Sequence, residues 1–92
     1  MTSKEKLYYL LREYLVLNYD TNSFCDQFTV VYDIEIDYAT LTEPENNIFS
    51  ELCRVTSRFS PFEEDLEIPN AFANEQEVRN KAIQSYNLLK LA

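Results

Sequence analysis

The sequence predicts an all-α fold, a small antiparallel four-helix bundle with an acidic loop between helices 3 and 4. Four segments place apolar residues at spacings of three and four, which is the period of one helix face. Each segment begins with a capping box, in which a side-chain oxygen and a carboxylate three residues later satisfy backbone amides that the helix leaves unpaired. Mostly short connections between such segments are typical of antiparallel bundles.

The first predicted helix begins at Thr2, and Glu5 completes its capping box. Its apolar face consists of Leu7, Leu10, Leu11, Tyr14 and Leu15. The four residues from Tyr19 to Asn22 are predicted to form a turn that separates it from the second helix.

The second predicted helix begins at Ser23, with Asp26 three residues later. Its apolar side consists of Phe24, Phe28, Val31 and Tyr32. Apolar and acidic residues alternate from Tyr32 to Tyr38, which is typical of a strand. No other segment alternates as well, so a strand here would have no partner. We therefore expect helix to about Glu35 and irregular chain after it.

The third and fourth predicted helices begin at Thr42 and Asn74, with Glu45 and Glu77 completing their capping boxes. The apolar stripe of the third helix is Ile48, Phe49, Leu52, Val55 and Phe59, and that of the fourth is Val78, Ala82, Ile83, Tyr86 and Leu89. Pro61 disfavours helical geometry in the residue before it, so the third helix is expected to end at about Phe59.

Composition excludes several classes of function. The 92 residues suffice for one domain and contain no glycine, no histidine and no tryptophan. Glycine-rich phosphate loops and histidine-dependent nucleophiles therefore cannot be formed, and we expect no enzymatic activity and no cofactor. The cysteines, Cys25 and Cys53, are expected to be buried free thiols. The amino-terminal segment lacks the features of a signal peptide, which points to the cytoplasm.

Negative charge is concentrated in the middle of the chain. The net charge is −8, and residues 26–67 carry eleven acidic groups against two arginines. Such a field repels nucleic acid and attracts basic surfaces. Nucleic-acid stacking by the thirteen tyrosines and phenylalanines is disfavoured for the same reason, and most of these side chains fall on or near core faces.

The predicted acidic loop, residues 60–73, joins the third and fourth helices and is expected to contain neither helix nor strand. Four carboxylates occupy five positions in it: Glu63, Glu64, Asp65 and Glu67. Four apolar side chains are expected to anchor it to the body of the protein, namely Phe62, Leu66, Ile68 and Phe72. Pro61 and Pro69 are expected to stiffen it. The carboxylates would then point outward.

Two chemical interpretations of the carboxylates fail. Asp33, Glu35 and Asp37 match the first, third and fifth positions of an EF-hand loop, but Tyr38 stands where glycine is needed and Pro44 where glutamate is needed. Paired carboxylates acting as general acid and base, or holding two magnesium ions, would need a substrate pocket and a cationic clamp that the sequence does not supply. We therefore expect no metal site.

A binding surface remains as the interpretation of the acidic loop, weighed against a solvated charged connection. Each like-charge contact at about 4 Å costs roughly 1 kcal/mol even in water, and a basic partner would relieve that cost. Phe62, at the head of the four carboxylates, fits an interface anchor surrounded by charge. A second acidic patch, assigned on charge alone, consists of Asp33, Glu35, Asp37 and Glu43.

Several segments follow one another in a recognisable order: Phe24 and Phe28, the DIEID stretch, and PENNIFSELCRVTSRFSPFEEDLE followed by NEQEVRNKAIQSYNLL. This series resembles the colicin D-type bacterial immunity proteins. The similarity covers about residues 22–89, and its sharpest element is an aromatic-serine pair, Phe59 and Ser60, followed by Glu63, Glu64 and Asp65.

The resemblance implies a small bacterial protein that binds the basic C-terminal domain of a cognate nuclease toxin, often one that cleaves transfer RNA. Glu63, Glu64, Asp65 and Glu67 would meet lysines and arginines of the toxin in place of phosphates. Phe62 would be an apolar contact and Ser60 would help set the loop. The implied complex is one-to-one, with no membrane and no direct contact to nucleic acid. The alternative is an acidic adaptor that binds another basic protein without blocking catalysis.

Overall fold

The computed structural model describes residues 1–68 and 71–91 and confirms an all-α fold. The α-helices of this part of the chain are α1 (Ser3–Leu15), α2 (Thr21–Val30), α3 (Glu43–Thr56), α4 (Glu63–Leu66) and α5 (Glu75–Leu91). A π-helical turn, Val31–Glu35, follows α2, and a 3-10 turn, Tyr38–Thr40, precedes α3. The described residues form no strand, only one isolated parallel bridge between Phe59 and Ala73.

Three of the four predicted helix starts are confirmed by their caps. The Glu5 amide donates to Thr2 Oγ1 and the Thr2 amide donates to Glu5 Oε1, each at 3.1 Å. The same reciprocal pair joins Thr42 and Glu45, at 3.2 and 2.9 Å. At the start of α5, the Glu77 amide donates to Asn74 Oδ1 at 2.8 Å.

The predicted start of the second helix is wrong. Asp20 is the cap, and its carboxylate accepts a 2.7 Å hydrogen bond from the amide of Ser23, the residue expected to be the cap. Helix α2 therefore begins at Thr21, inside the segment expected to be a turn. Tertiary contacts support this start: Thr21 is buried, and its hydroxyl lies 3.0 Å from the Tyr14 hydroxyl and donates to Glu75 at 2.9 Å.

Helical structure reaches Glu35 as predicted, but the last turn is π-helical. The Ile36 amide donates to the Val31 carbonyl, five residues earlier, at 2.9 Å. This wider turn buries Val31 and Tyr32 together with Ile36, while Ile34 stays exposed. The turn thus reconciles an alternating apolar sequence with a helical backbone.

Helix α3 ends at Thr56, three residues before the predicted end at about Phe59. The residues that would have continued it pair with another segment. The Ala73 amide donates to the Arg58 carbonyl at 2.8 Å, and the Ser60 amide donates to the Ala73 carbonyl at 3.1 Å. This pairing brings the two ends of the acidic loop together.

The core lies between α1, α2, α3 and α5 and is rich in aromatic side chains. Tyr14 stacks on Phe24 with ring centroids 4.3 Å apart, and the Arg79 guanidinium lies over the Tyr14 ring. The largest fully buried side chains include Tyr14, Phe24, Phe28, Phe49, Leu7, Leu10, Leu11, Leu52 and Val78. On α5 the stripe differs from the prediction, because Ile83 is exposed and Ser85 is buried.

Candidate functional site

The acidic loop is held at its base by backbone pairing. The two hydrogen bonds between residues 58–60 and Ala73 join the two ends of the loop. Closure of this kind restricts the conformations open to the loop and lowers the entropy lost when it binds a partner. Pro69, expected to stiffen the loop, lies outside the described residues.

The expectation that the loop contains no helix is wrong for Glu63–Leu66, which form one turn of α-helix, α4. The carbonyl of Phe62 accepts hydrogen bonds from the amides of Asp65 and Leu66, at 3.2 and 3.3 Å. Acidic residues are favoured in the first turn of a helix, since the free amides there carry partial positive charge. That preference offsets part of the repulsion among neighbouring carboxylates.

Ser60 fixes this helical turn from the interior of the protein. It is buried, with 4% of its surface exposed, and its hydroxyl donates to Asp65 Oδ2 at 2.7 Å. The same oxygen accepts a hydrogen bond from the Phe62 amide at 3.2 Å. One hydroxyl therefore sets both the start of α4 and the position of its third carboxylate.

The expected apolar anchoring of the acidic loop is wrong. Phe62 is 61% exposed and Ile68 is 51% exposed, and Leu66 and Phe72 are also exposed. The loop is positioned instead by its backbone pairing and by Ser60. Because the anchoring comes from polar contacts, the apolar side chains remain at the surface beside the carboxylates. A phenylalanine exposed in this way is suited to fill a pocket on a partner.

The four carboxylates of the loop divide into two kinds. Asp65 is half-buried and accepts from Ser60. Glu63, Glu64 and Glu67 are exposed, and none of them has a salt-bridge or side-chain hydrogen-bond partner in residues 1–68 and 71–91. The structure thus brings three uncompensated carboxylates and Phe62 onto one short segment.

The carboxylates of the second acidic patch contact different parts of the protein. Cys53 Sγ on α3 lies 3.5 Å from Asp33, whereas Glu35 forms a 3.2 Å ion pair with Lys6 on α1. Asp37 caps the 3-10 turn by accepting from the Ala39 amide. These three carboxylates therefore have local partners that the carboxylates of α4 lack.

Glu43, the last member of the second acidic patch, is the first residue of α3. It is exposed. Its place in the first turn agrees with the preference of helix amino termini for negative charge.

The sequence predicts Glu45 only as part of a helix cap, but the structure also buries it and gives it partners on α1. Glu45 is 7% exposed, forms a 3.0 Å ion pair with Lys4, and accepts from the Tyr8 hydroxyl at 2.5 Å. Burial by itself raises its pKa, but the hydrogen bonds from Thr42, Tyr8 and Lys4 outweigh burial and lower the pKa to about 2. The spacing of Thr42 and Glu45 predicted the cap, but no signal in the sequence linked it to α1.

A cleft of about 460 Å³ lies between α1, α2 and the π-helical turn. Its lining is largely apolar and includes Tyr9, Leu10, Tyr19, Val30 and Val31. Tyr9 and Tyr19 meet edge to face at its border, with ring centroids 6.4 Å apart. No group of three or more acidic or cysteine side chains within the described ranges is arranged to hold a metal ion.

Comparison with known proteins gives no guide to the chain. No family model matches it, and no significant match was found among curated proteins or solved structures. Among the helices of residues 1–68 and 71–91, none combines the length and the apolar character required to cross a membrane.

Proposed function

We propose that this protein is an immunity protein that binds a nuclease toxin, of the kind that cleaves transfer RNA, and covers its basic substrate site. The observation that carries the proposal is the exposed group formed by Phe62, Glu63, Glu64 and Glu67 on a segment that Ser60 and the backbone hold in place. In this proposal α1, α2, α3 and α5 form a small antiparallel bundle, and one copy binds one toxin domain.

Uncompensated charge supports a basic partner. Three carboxylates without local partners repel one another, and contact with lysine or arginine would convert repulsion into attraction. The rest of the chain reinforces the field, because the net charge is −8. Fields of this strength raise the rate of encounter with an oppositely charged protein, which suits the capture of a toxic enzyme.

Geometry supports mimicry of a nucleic-acid strand. Groups that bind phosphate also bind carboxylate, since arginine forms paired hydrogen bonds with either. A one-turn helix that presents carboxylates next to an aromatic ring offers a nuclease both a substitute for phosphates and a substitute for a base. A nuclease groove occupied in this way is closed to its substrate.

Co-expression with a toxin gene adjacent in the genome tests the proposal. The double variant Glu63→Lys and Glu64→Lys is expected to lose protection and complex formation, because both side chains are exposed and have no structural partner among the described residues. Asp65 is left unchanged, since it accepts from Ser60. Circular dichroism should show unchanged helicity.

The matched control is Asp26→Lys with Glu77→Lys. It makes the same change in net charge at exposed carboxylates of α2 and α5. Protection should persist in the control. Equal loss in both double variants would reduce the interaction to net charge, and full protection by the loop variant would remove the acidic loop as the contact. Tight binding to a basic protein without protection would favour the adaptor.

A further inference from the structure

A basic cleft interrupts the acidic surface of this protein. It has a volume of about 460 Å³ and lies where the carboxyl end of α3 meets α5. Its lining consists of Glu51, Arg54, Val55, Ser57, Arg58 and Lys81. Three cationic groups against one carboxylate give the cleft a local positive charge, although the whole chain carries −8.

The cationic side chains of the basic cleft are held in position by hydrogen bonds, and each retains N–H donors that are not used in these bonds. Arg58 Nε donates to the Arg54 carbonyl at 3.0 Å, which leaves both terminal nitrogens of its guanidinium. Arg54 uses one terminal nitrogen for Glu51, at 3.2 Å. Lys81 Nζ donates to Gln84 Oε1 at 3.1 Å and retains two further protons. The cleft is therefore prepared to accept an anion.

The basic cleft borders the acidic loop. The backbone carbonyl of Arg58 accepts from the Ala73 amide in the pairing that closes the loop, and Ser60 follows two residues later. Two residues of extended chain span at most about 7 Å, so the backbone of Arg58 lies close to the base of the acidic loop.

We propose that the basic cleft binds carboxylates of an acidic segment on the partner whose basic surface meets the acidic loop. This inference rests on the proposed function and adds that the partner carries a matching pair of opposite charges. Two contacts of opposite sign define one orientation of the complex, because the reversed orientation would place like charges together.

Other anionic occupants fit less well. A second copy of this chain would bring another −8 of charge and its own acidic loop, and high net charge opposes self-association. A nucleic-acid duplex carries one negative charge for about every 1.7 Å of its axis and would be repelled by a chain whose net charge is −8. A short run of carboxylates on a protein can enter without that repulsion.

Heteronuclear NMR with hexaglutamate tests the cleft directly. The Nε–H signals of Arg54 and Arg58 and the backbone signal of Lys81 should shift together on titration. The variant Arg58→Gln with Lys81→Gln should weaken binding by about twofold to tenfold, the range for losing two exposed ion pairs. Arg12→Gln with Lys90→Gln, exposed cations on α1 and α5, is the matched control and should bind as the wild type does.

The titration of the wild-type protein is itself decisive. Signal shifts spread over all basic residues would overturn the proposal, and so would the absence of shifts in the basic cleft. Hexalysine tests the acidic loop separately and should shift Glu63 and Glu64. If the cleft does not bind hexaglutamate while the loop binds hexalysine, this inference is overturned and the proposed function is left intact. If the cleft binds hexaglutamate but the loop does not bind hexalysine, the acidic loop is ruled out as a binding site. A single partner that contacts both features is then ruled out as well.

Charge reversal separates a specific contact from general attraction. Arg58→Glu with Lys81→Glu makes the protein more negative, so net charge alone predicts tighter binding to a basic toxin. The proposal predicts weaker binding and poorer protection on co-expression, because carboxylates of the toxin would face glutamates. Tighter binding by this variant would refute the cleft contact.

Discussion

The hydroxyl of Ser60 donates a 2.7 Å hydrogen bond to the carboxylate of Asp65, and it accepts from the amide of Phe62. Ser60 is buried while Phe62 is exposed, so a side chain of the interior fixes the shape of a surface segment. The carboxylates of the acidic loop therefore have different roles. Asp65 stabilises the fold of the loop, and its neighbours Glu63 and Glu64 face solvent.

Replacing Ser60 by alanine should destabilise the protein and loosen the acidic loop. The change leaves the Asp65 carboxylate without its donor, and a lost hydrogen bond to a charged group costs roughly 1.5–3 kcal/mol. Urea unfolding should report the loss, and hydrogen exchange should accelerate at Phe62 and Asp65. Ser57→Ala is the control, because Ser57 is exposed. Unchanged exchange in the loop would contradict the role of Ser60.

Alanine at Asp65 should lower stability, whereas alanine at Glu64 should not. Asp65→Ala removes the acceptor of the Ser60 bond and should lower the free energy of unfolding by about 1–2 kcal/mol. Glu64→Ala relieves repulsion and should leave stability unchanged or raise it by a few tenths of a kcal/mol, by roughly the scale of exposed charge pairs. Thermal unfolding of both variants at low and high salt is the measurement. Equal effects would show that the carboxylates are equivalent.

Acid should unfold the protein partly through Glu45. The folded pKa of about 2 lies below the ordinary value of 4.5, so the ionised form stabilises the fold above pH 4.5. That contribution is lost as the pH falls from about 4.5 to about 2. Glu45→Gln cannot ionise and should flatten this part of the stability profile, while lowering stability near neutral pH by roughly 1–3 kcal/mol. A profile identical to that of the wild type would contradict this assignment.

Tyr8→Phe should remove the contact between α1 and Glu45 while keeping the packing of the ring. The Tyr8 hydroxyl donates to Glu45 at 2.5 Å, and the ring meets Phe49 edge to face at 5.2 Å between centroids. We expect a loss of about 1–2 kcal/mol and a higher pKa for Glu45, since one of its donors is gone. A double-mutant cycle with Glu45→Gln measures the coupling. Additive effects would show that the two side chains act independently.

Both thiols should be unreactive in the folded protein. Burial raises the pKa of Cys25 to about 12 and the pKa of Cys53 to about 11, with nearby Asp26 and Asp33 adding to the effect. The thiolate is the reacting species, so reaction with Ellman's reagent near neutral pH should be slower than for an unfolded chain, by roughly a hundredfold for Cys53 and roughly a thousandfold for Cys25. Both thiols should react in urea. Rapid reaction of the native protein would indicate local opening of α2 or α3.

Local chemistry in the sequence determined most of the helices. Capping boxes at Thr2 and Thr42 form as their spacing predicts, because a hydroxyl and a carboxylate three residues apart meet within a single turn. Four of the five apolar residues predicted for the face of α1 are buried for a similarly local reason, namely Leu7, Leu10, Leu11 and Tyr14, while Leu15 is half-buried. The charge of the middle of the chain is also a property of sequence alone, and it directs attention to a basic partner.

Only the tertiary structure decided the features that depend on distant residues. The bonds that join Thr21, the first residue of α2, to Tyr14 and Glu75 connect three helices and cannot be read from local spacing. Pairing of residues 58–60 with Ala73 ends α3 early and closes the acidic loop. Phe62 was expected to anchor that loop and instead lies exposed, since Ser60 and the backbone already hold it.

The basic cleft shows the same limit most clearly. Arg54 and Arg58 are near neighbours in sequence, but Lys81 joins them only when α5 packs against α3. Sequence fixes which side chains a helix presents on each face, because its period is local. Which faces meet depends on packing of the whole chain, and only that packing brings Lys81 to the two arginines of the basic cleft.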